Sequence, residues 1–229
     1  MNNNLQTADY GYAVSAEERN RVLRNTYWLL ALSMVPTVLG AVVGHYFGLL
    51  RMSPTVSLIV FFVGAYGLMF AIEKTKESVV GVVLLLVFTF FMGLMLSRLI
   101  SFVLWRYSNG AELIALAFGG TGLIFFVMAS LATVIKRDLS SWGKFLSVGL
   151  IMAIVIGIGN FFFFQSSPLM IALLFLVMGI STAFLLYSVK SVIDGGETNY
   201  VSATLSIYVS LYNIFQSLLS LLGIFGGDD

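Results

Sequence analysis

Along this chain, stretches of about 20 apolar residues, long enough to cross roughly 30 Å of hydrocarbon, are separated by short polar breaks. Seven such stretches predict helices over Thr26 to Phe47, Pro54 to Ile72, Ser78 to Arg98, Glu112 to Ile135, Gly143 to Phe164, Pro168 to Ile193 and Tyr200 to Phe225. Local chemistry explains the breaks. Ser53-Pro54 and Ser167-Pro168 each place a capping hydroxyl before a proline whose missing N–H costs nothing in the first turn. Asn109 and Glu112 have capping-box spacing. Gly195 and Gly196 stop the sixth helix, and Thr198 or Asn199 can cap the seventh. The longest interior break, Leu99 to Ala111, is too short for a soluble domain. The chain divides into a polar N-terminal tail (1–25), a transmembrane bundle (26–225) and a short C-terminal tail (226–229).

Ser15 and Glu18 also have capping-box spacing, so a helix starting there and running through Arg19, Arg21 and Arg24 into the first span competes with a loosely ordered tail. The tail contains no apolar core of the kind a cleavable signal carries. Lys and Arg segregate across the spans. Arg19, Arg21, Arg24, Lys74, Lys76, Lys136, Arg137, Lys144 and Lys190 fall on the N-terminal side, and Arg51, Arg98 and Arg106 on the other. Positive residues are retained in the cytoplasm, so a cytoplasmic N-terminus and an outside C-terminus, at Asp228 and Asp229, are expected. Merging the fifth and sixth spans across Gln165 to Ser167 would destroy this segregation, which supports seven.

Composition agrees: 59% of the 229 residues are apolar and 10% are charged, more hydrocarbon than a soluble domain of this length can hide. The absence of cysteine and the single histidine leave no thiol chemistry and make imidazole ligation of a metal unpromising, so no cofactor is expected. The net charge of +1 comes without the clustered basic surface that nucleic acid requires.

Small residues mark close helix contacts. Gly40, Gly44 and Gly48 form two successive GxxxG units in the first span, and Gly149, Ala153 and Gly157 repeat the spacing in the fifth. Pro36 removes an N–H inside the first helix and predicts a kink. The last span carries Ser202, Ser206, Ser210, Asn213, Ser217 and Ser220 along one stripe, with Tyr208, Tyr212 and Gln216 on a second edge. Such a stripe cannot favourably face lipid, so this helix is expected to be surrounded by the others. It is either a packing seam or a solute path, with Ser206, Asn213 and Ser217 as the candidate polar core. Every carboxylate lies near a helix end or in a loop, as with Glu73, Glu77, Glu112, Asp138, Asp194 and Glu197, so intramembrane catalysis lacks its nucleophile, base or paired acids. Arg98 is expected to snorkel, with Glu112 as an alternative partner, and His45 to sit at the interface.

The segment GGETNY, formed by Gly195, Gly196, Glu197, Thr198, Asn199 and Tyr200, is followed by IYVSLYNIFQSLLSLLG. Together with LRNTYWLLALS, AYGLMF, FGGTGLIFF and KRDLS, in order over most of the chain, it resembles the YccA-like bacterial branch of the Bax inhibitor-1 family. The resemblance implies an all-α fold of seven transmembrane helices in the bacterial inner membrane, a cytoplasmic N-terminus and a last helix enclosed by the other six. Some family members are pH-sensitive calcium leaks that use two aspartates sharing a proton. The matching positions here are Ser188 and Ser210. A hydroxyl neither titrates near neutrality nor offers the charge a calcium site prefers. The family's glycine-proline pair near the end of the third helix reads Ser97-Arg98. The YccA-like branch implies association with the membrane protease FtsH and its scaffold, as a modulator rather than an enzyme. The alternative it leaves is a leak for calcium or another cation, or a small-solute transporter, lacking the di-aspartate sensor.

Overall fold

The computed structural model describes residues 15–48 and 52–228. The first 14 residues of the tail, Arg51 and Asp229 lie outside the described residues. The helices are α1 (Ala16–Tyr46), α2 (Pro54–Thr75), α3 (Val79–Arg106), α4 (Gly110–Val134), α5 (Trp142–Gly159), α6 (Ser167–Asp194) and α7 (Tyr200–Gly226), with a π-helical turn, Asn160–Phe164, extending α5. All seven are long and apolar enough to cross a membrane.

The differences from the sequence reading lie at helix ends. Ser15 Oγ accepts from the Glu18 N–H at 3.1 Å, and α1 runs unbroken from Ala16 through Pro36, so a boundary at residue 25 falls inside a helix. That first stretch docks. Val22 is buried against Val192 and Ala203, and Arg19 Nη1 donates to the Ile193 carbonyl at 3.4 Å. α3 continues past Arg98 to Arg106 because its last turns have apolar neighbours: Val103 is buried with Leu113, Ala117 and Leu219. The long break expected at Leu99 to Ala111 therefore shrinks to residues 107–109. Asn109 does not cap α4; its side chain donates to the Gly226 carbonyl at 2.7 Å and accepts from the Asp228 N–H at 3.1 Å. At α6 the cap is Ser166 rather than Ser167, accepting from the Leu169 N–H at 3.4 Å.

Half of the most apolar stretch of α7 is buried, against at most 39% in any other helix. α1, α2, α3, α4 and α6 all pack on it, whereas α5 packs on α6. The tightest seam joins α1 to α3. A Cβ on Gly40 would stand 2.1 Å from the Phe90 carbonyl oxygen, and one on Gly44 would stand 2.3 Å from Ser97 Oγ. Gly48 does not continue this face, since it lies beyond the helix end at φ 66°.

Candidate functional site

The GGETNY segment is a structural knot at the N-terminal side of the bundle. Gly195 takes the left-handed conformation (φ 82°) that closes α6, and the N–H groups of Gly196 and Glu197 both donate to the Ser191 carbonyl, at 2.8 and 3.1 Å. Asn199 does the joining. Its Oδ1 accepts from the Val201 and Ser202 N–H groups at 2.9 and 3.2 Å, capping α7, while its Nδ2 donates to the Lys76 carbonyl at 3.1 Å. The backbone N–H of Asn199 donates in turn to Glu197 Oε1 at 2.8 Å. Beside this knot Glu73 accepts from Lys76 Nζ and, at 3.0 Å, from Ser202 Oγ. The hydrogen bond to Glu73 holds the Lys76 ammonium above the usual lysine range.

From this knot α7 runs across the bundle, and its stripe divides. Ser210 is buried with its Oγ donating to the Ser206 carbonyl at 2.9 Å. Ser188, on α6, is buried too, and its Oγ has no partner among the described residues. These two serines lie within packed helix faces. Ser206, Asn213, Gln216 and Ser217 instead line a cavity of about 1070 Å³ bounded by α2, α5, α6 and α7, with Phe88 and Met92 of α3 also in its lining. The second edge is anchored. The buried Tyr208 hydroxyl is 2.8 Å from Thr37 Oγ1 and donates to the Thr89 carbonyl at 3.4 Å.

The cavity extends from Glu73 at one end to Gln165 and Ser166 at the other. Its far mouth is built by the π-helical turn. Asn160 clasps Ser166 in both directions, donating to its carbonyl at 3.1 Å and accepting from its N–H at 2.9 Å, and Gln165 between them is left-handed (φ 47°). Glu73 is the one ionisable side chain in the lining apart from Tyr66, and Lys76 and Ser202 already engage it. No three His, Asp or Glu side chains converge among the described residues. Chemically, the cavity offers the hydroxyls and carboxamides of α7 along one wall, Ser147 on α5, Glu73 at one end and Asn160, Gln165, Ser166 and Ser167 at the other, with hydrocarbon between them. Sequence reasoning found the polar stripe but not the space beside it, because nothing in the α5 pattern says that α5 stands apart from α7.

The remaining expected site residues lie at the far side. Arg98 Nη1 donates to the Met52 carbonyl at 2.9 Å and to Ser57 Oγ, fastening α3 to the start of α2. His45 Nδ1 is 2.7 Å from Ser101 Oγ. Ser97, at the lost glycine-proline position, donates to the Leu94 carbonyl at 2.6 Å and fills the space over Gly44.

Residues 19–227 match the family described as inhibitor of apoptosis-promoting Bax1. The chain belongs to the Bax inhibitor-1 family. This Bax inhibitor-1 protein is 37% identical over 204 residues to the modulator of FtsH protease YccA of Escherichia coli (strain K12), covering 89% of the chain and 90% of that relative. It is 34% identical over 236 residues to an uncharacterized protein of Neisseria meningitidis, covering 98% and 100%. With an uncharacterized protein of Pseudomonas aeruginosa it shares 38% identity over 219 residues, covering 93% and 95%.

Proposed function

We propose that this Bax inhibitor-1 protein is a regulatory partner of the membrane protease FtsH in the bacterial inner membrane. The observation that carries the reading is the 37% identity to YccA, a named FtsH modulator, across nine-tenths of both chains. The nine-to-three segregation of Lys and Arg supports a cytoplasmic N-terminus and an outside C-terminus. In this reading the part of the polar tail (1–25) that precedes α1 meets the protease or its scaffold, and the bundle (26–225), with the start of α1 docked on it, is the body that resists extraction. Copurification in mild detergent tests it. FtsH or its scaffold should be enriched with the full chain, and removing residues 1–14 should alter protease activity. No enrichment, with protease activity unchanged by the truncation, overturns the reading.

A second reading is favoured by one observation, that Ser206, Asn213 and Ser217 line a cavity. It is a path for a cation or small solute along α7. Ser188 and Ser210, at the positions matching the family's aspartate pair, supply no titrating group there. Any flux into proteoliposomes should therefore be flat from pH 5 to 8. Flux equal to that of empty liposomes eliminates the path, and a sharp transition near neutrality contradicts the serine argument.

A further inference from the structure

The cavity beside α7 has the dimensions and chemistry of a place for another helix. Along α2 its lining runs from Leu58 to Glu73, about 22 Å at 1.5 Å per residue, so it reaches through both leaflets of a core of roughly 30 Å. Its volume of about 1070 Å³ over that length gives a cross-section of ~50 Å², about half the roughly 80–110 Å² section of a helix 10–12 Å across with its side chains. One face of a helix fits inside, with the opposite face left to lipid.

The polar groups fix what that face must carry. Asn213 is the middle residue of α7, near the centre of the bilayer, and Gln216 follows one turn later. Neither carboxamide has a hydrogen-bond partner among the described residues, and both open into the cavity. A polar group in hydrocarbon must be satisfied from somewhere. An acyl chain entering from one leaflet offers nothing at this depth but its methyl end. A spanning helix can offer a hydroxyl or amide there, the bond by which transmembrane helices recognise one another. On the opposite wall Ala153 and Gly157, four residues apart on α5, keep the surface low, and a Cβ at Gly157 would meet nothing within 4 Å.

We propose that the space between α2 and α5 is a docking slot for a single transmembrane helix bearing a hydroxyl or carboxamide side chain at its centre. Only the identity of the natural partner rests on the protease reading. The slot itself is tested without it. The full-length protein, carrying benzoylphenylalanine at Ile154 or Val209 in the slot, or at the outward-facing Val63 or Phe145, is placed in phosphatidylethanolamine/phosphatidylglycerol vesicles. The probe is a Leu-Ala transmembrane peptide of about 21 residues with one central Asn, compared with its all-apolar version. The Asn peptide should crosslink from Ile154 and Val209 about tenfold more than the apolar one, and from Val63 and Phe145 no more than it does. Asn213→Leu should remove the preference. Gly157→Phe, which fills the slot without a backbone clash, should abolish both adducts. Equal yields from slot and outward positions, adducts to phospholipid alone, or no peptide adducts overturn the slot. FtsH copurification without slot adducts overturns the slot and leaves the protease reading standing; slot adducts without copurification do the reverse.

Discussion

Gly93 and Thr37 meet backbone to backbone: a Cβ on Gly93 would stand 2.0 Å from the Thr37 carbonyl oxygen. Neither main chain can retreat without dragging its helix. Gly93→Ala should destabilise the bundle by about 2 kcal/mol or more, the usual cost of overpacking, and Gly40→Ala should act alike. Gly157→Ala, which meets nothing, should be near neutral. Reversible unfolding in mixed micelles measures all three.

Asn199 caps α7 and ties it to Lys76 with one side chain. Asn199→Ala should cost about 2 kcal/mol, the upper end for a cap, and Asn199→Asp should recover the capping share but not the bond to the Lys76 carbonyl, which needs the amide donor. Amide exchange in the first turn of α7 and at residues 76–78 separates the two contributions.

The C-terminal residues are stitched to the turn between α3 and α4. Besides the two Asn109 bonds, the Ser108 N–H donates to the Asp228 carbonyl at 2.9 Å. Asn109→Ala should expose residues 226–228 to faster amide exchange and carboxypeptidase trimming. The unfolding midpoint should stay unchanged, since these bonds lie at the exposed surface.

Asp138, in the turn before α5, accepts from the Ser140 N–H at 2.8 Å and from its hydroxyl at 3.0 Å. The Ser140 backbone bond foremost holds the Asp138 carboxyl below the ordinary aspartate range. A depressed carboxylate pKa favours the folded turn above the unfolded value and loses that contribution as pH falls through the folded one. The Ser140 amide resonance should therefore titrate with a midpoint below that of an unstructured aspartate. Asp138→Asn should remove the titration.

The seven spans were legible because lipid imposes one rule on every apolar segment: about 20 residues, backbone satisfied internally. Gly40 and Gly44 were legible as a packing face, and α7 as the centre, since a hydroxyl stripe has nowhere else to go. Which helix Gly40 meets was not, because a glycine advertises closeness without naming a neighbour. The same holds for α5, whose cavity-lining Leu150, Ala153, Ile154 and Gly157 read in the sequence like its exposed Val148, Met152 and Val155, so no pattern tells the two faces apart. Asn109 misled for a related reason: its spacing to Glu112 permits a cap, and only the fold brings Gly226 and Asp228 close enough to claim the side chain first.

α1 is a single continuous helix of 31 residues, about 46 Å along its axis at 1.5 Å per residue, with its far half locked to α3. A machine pulling on the tail would not peel this seam apart turn by turn. The force would run along the helix and load the contacts at Thr37, Gly40 and Gly44 together in shear. Mechanical resistance would then depend on how many contacts must break together, and a protein of modest thermodynamic stability could still stall an unfolding motor.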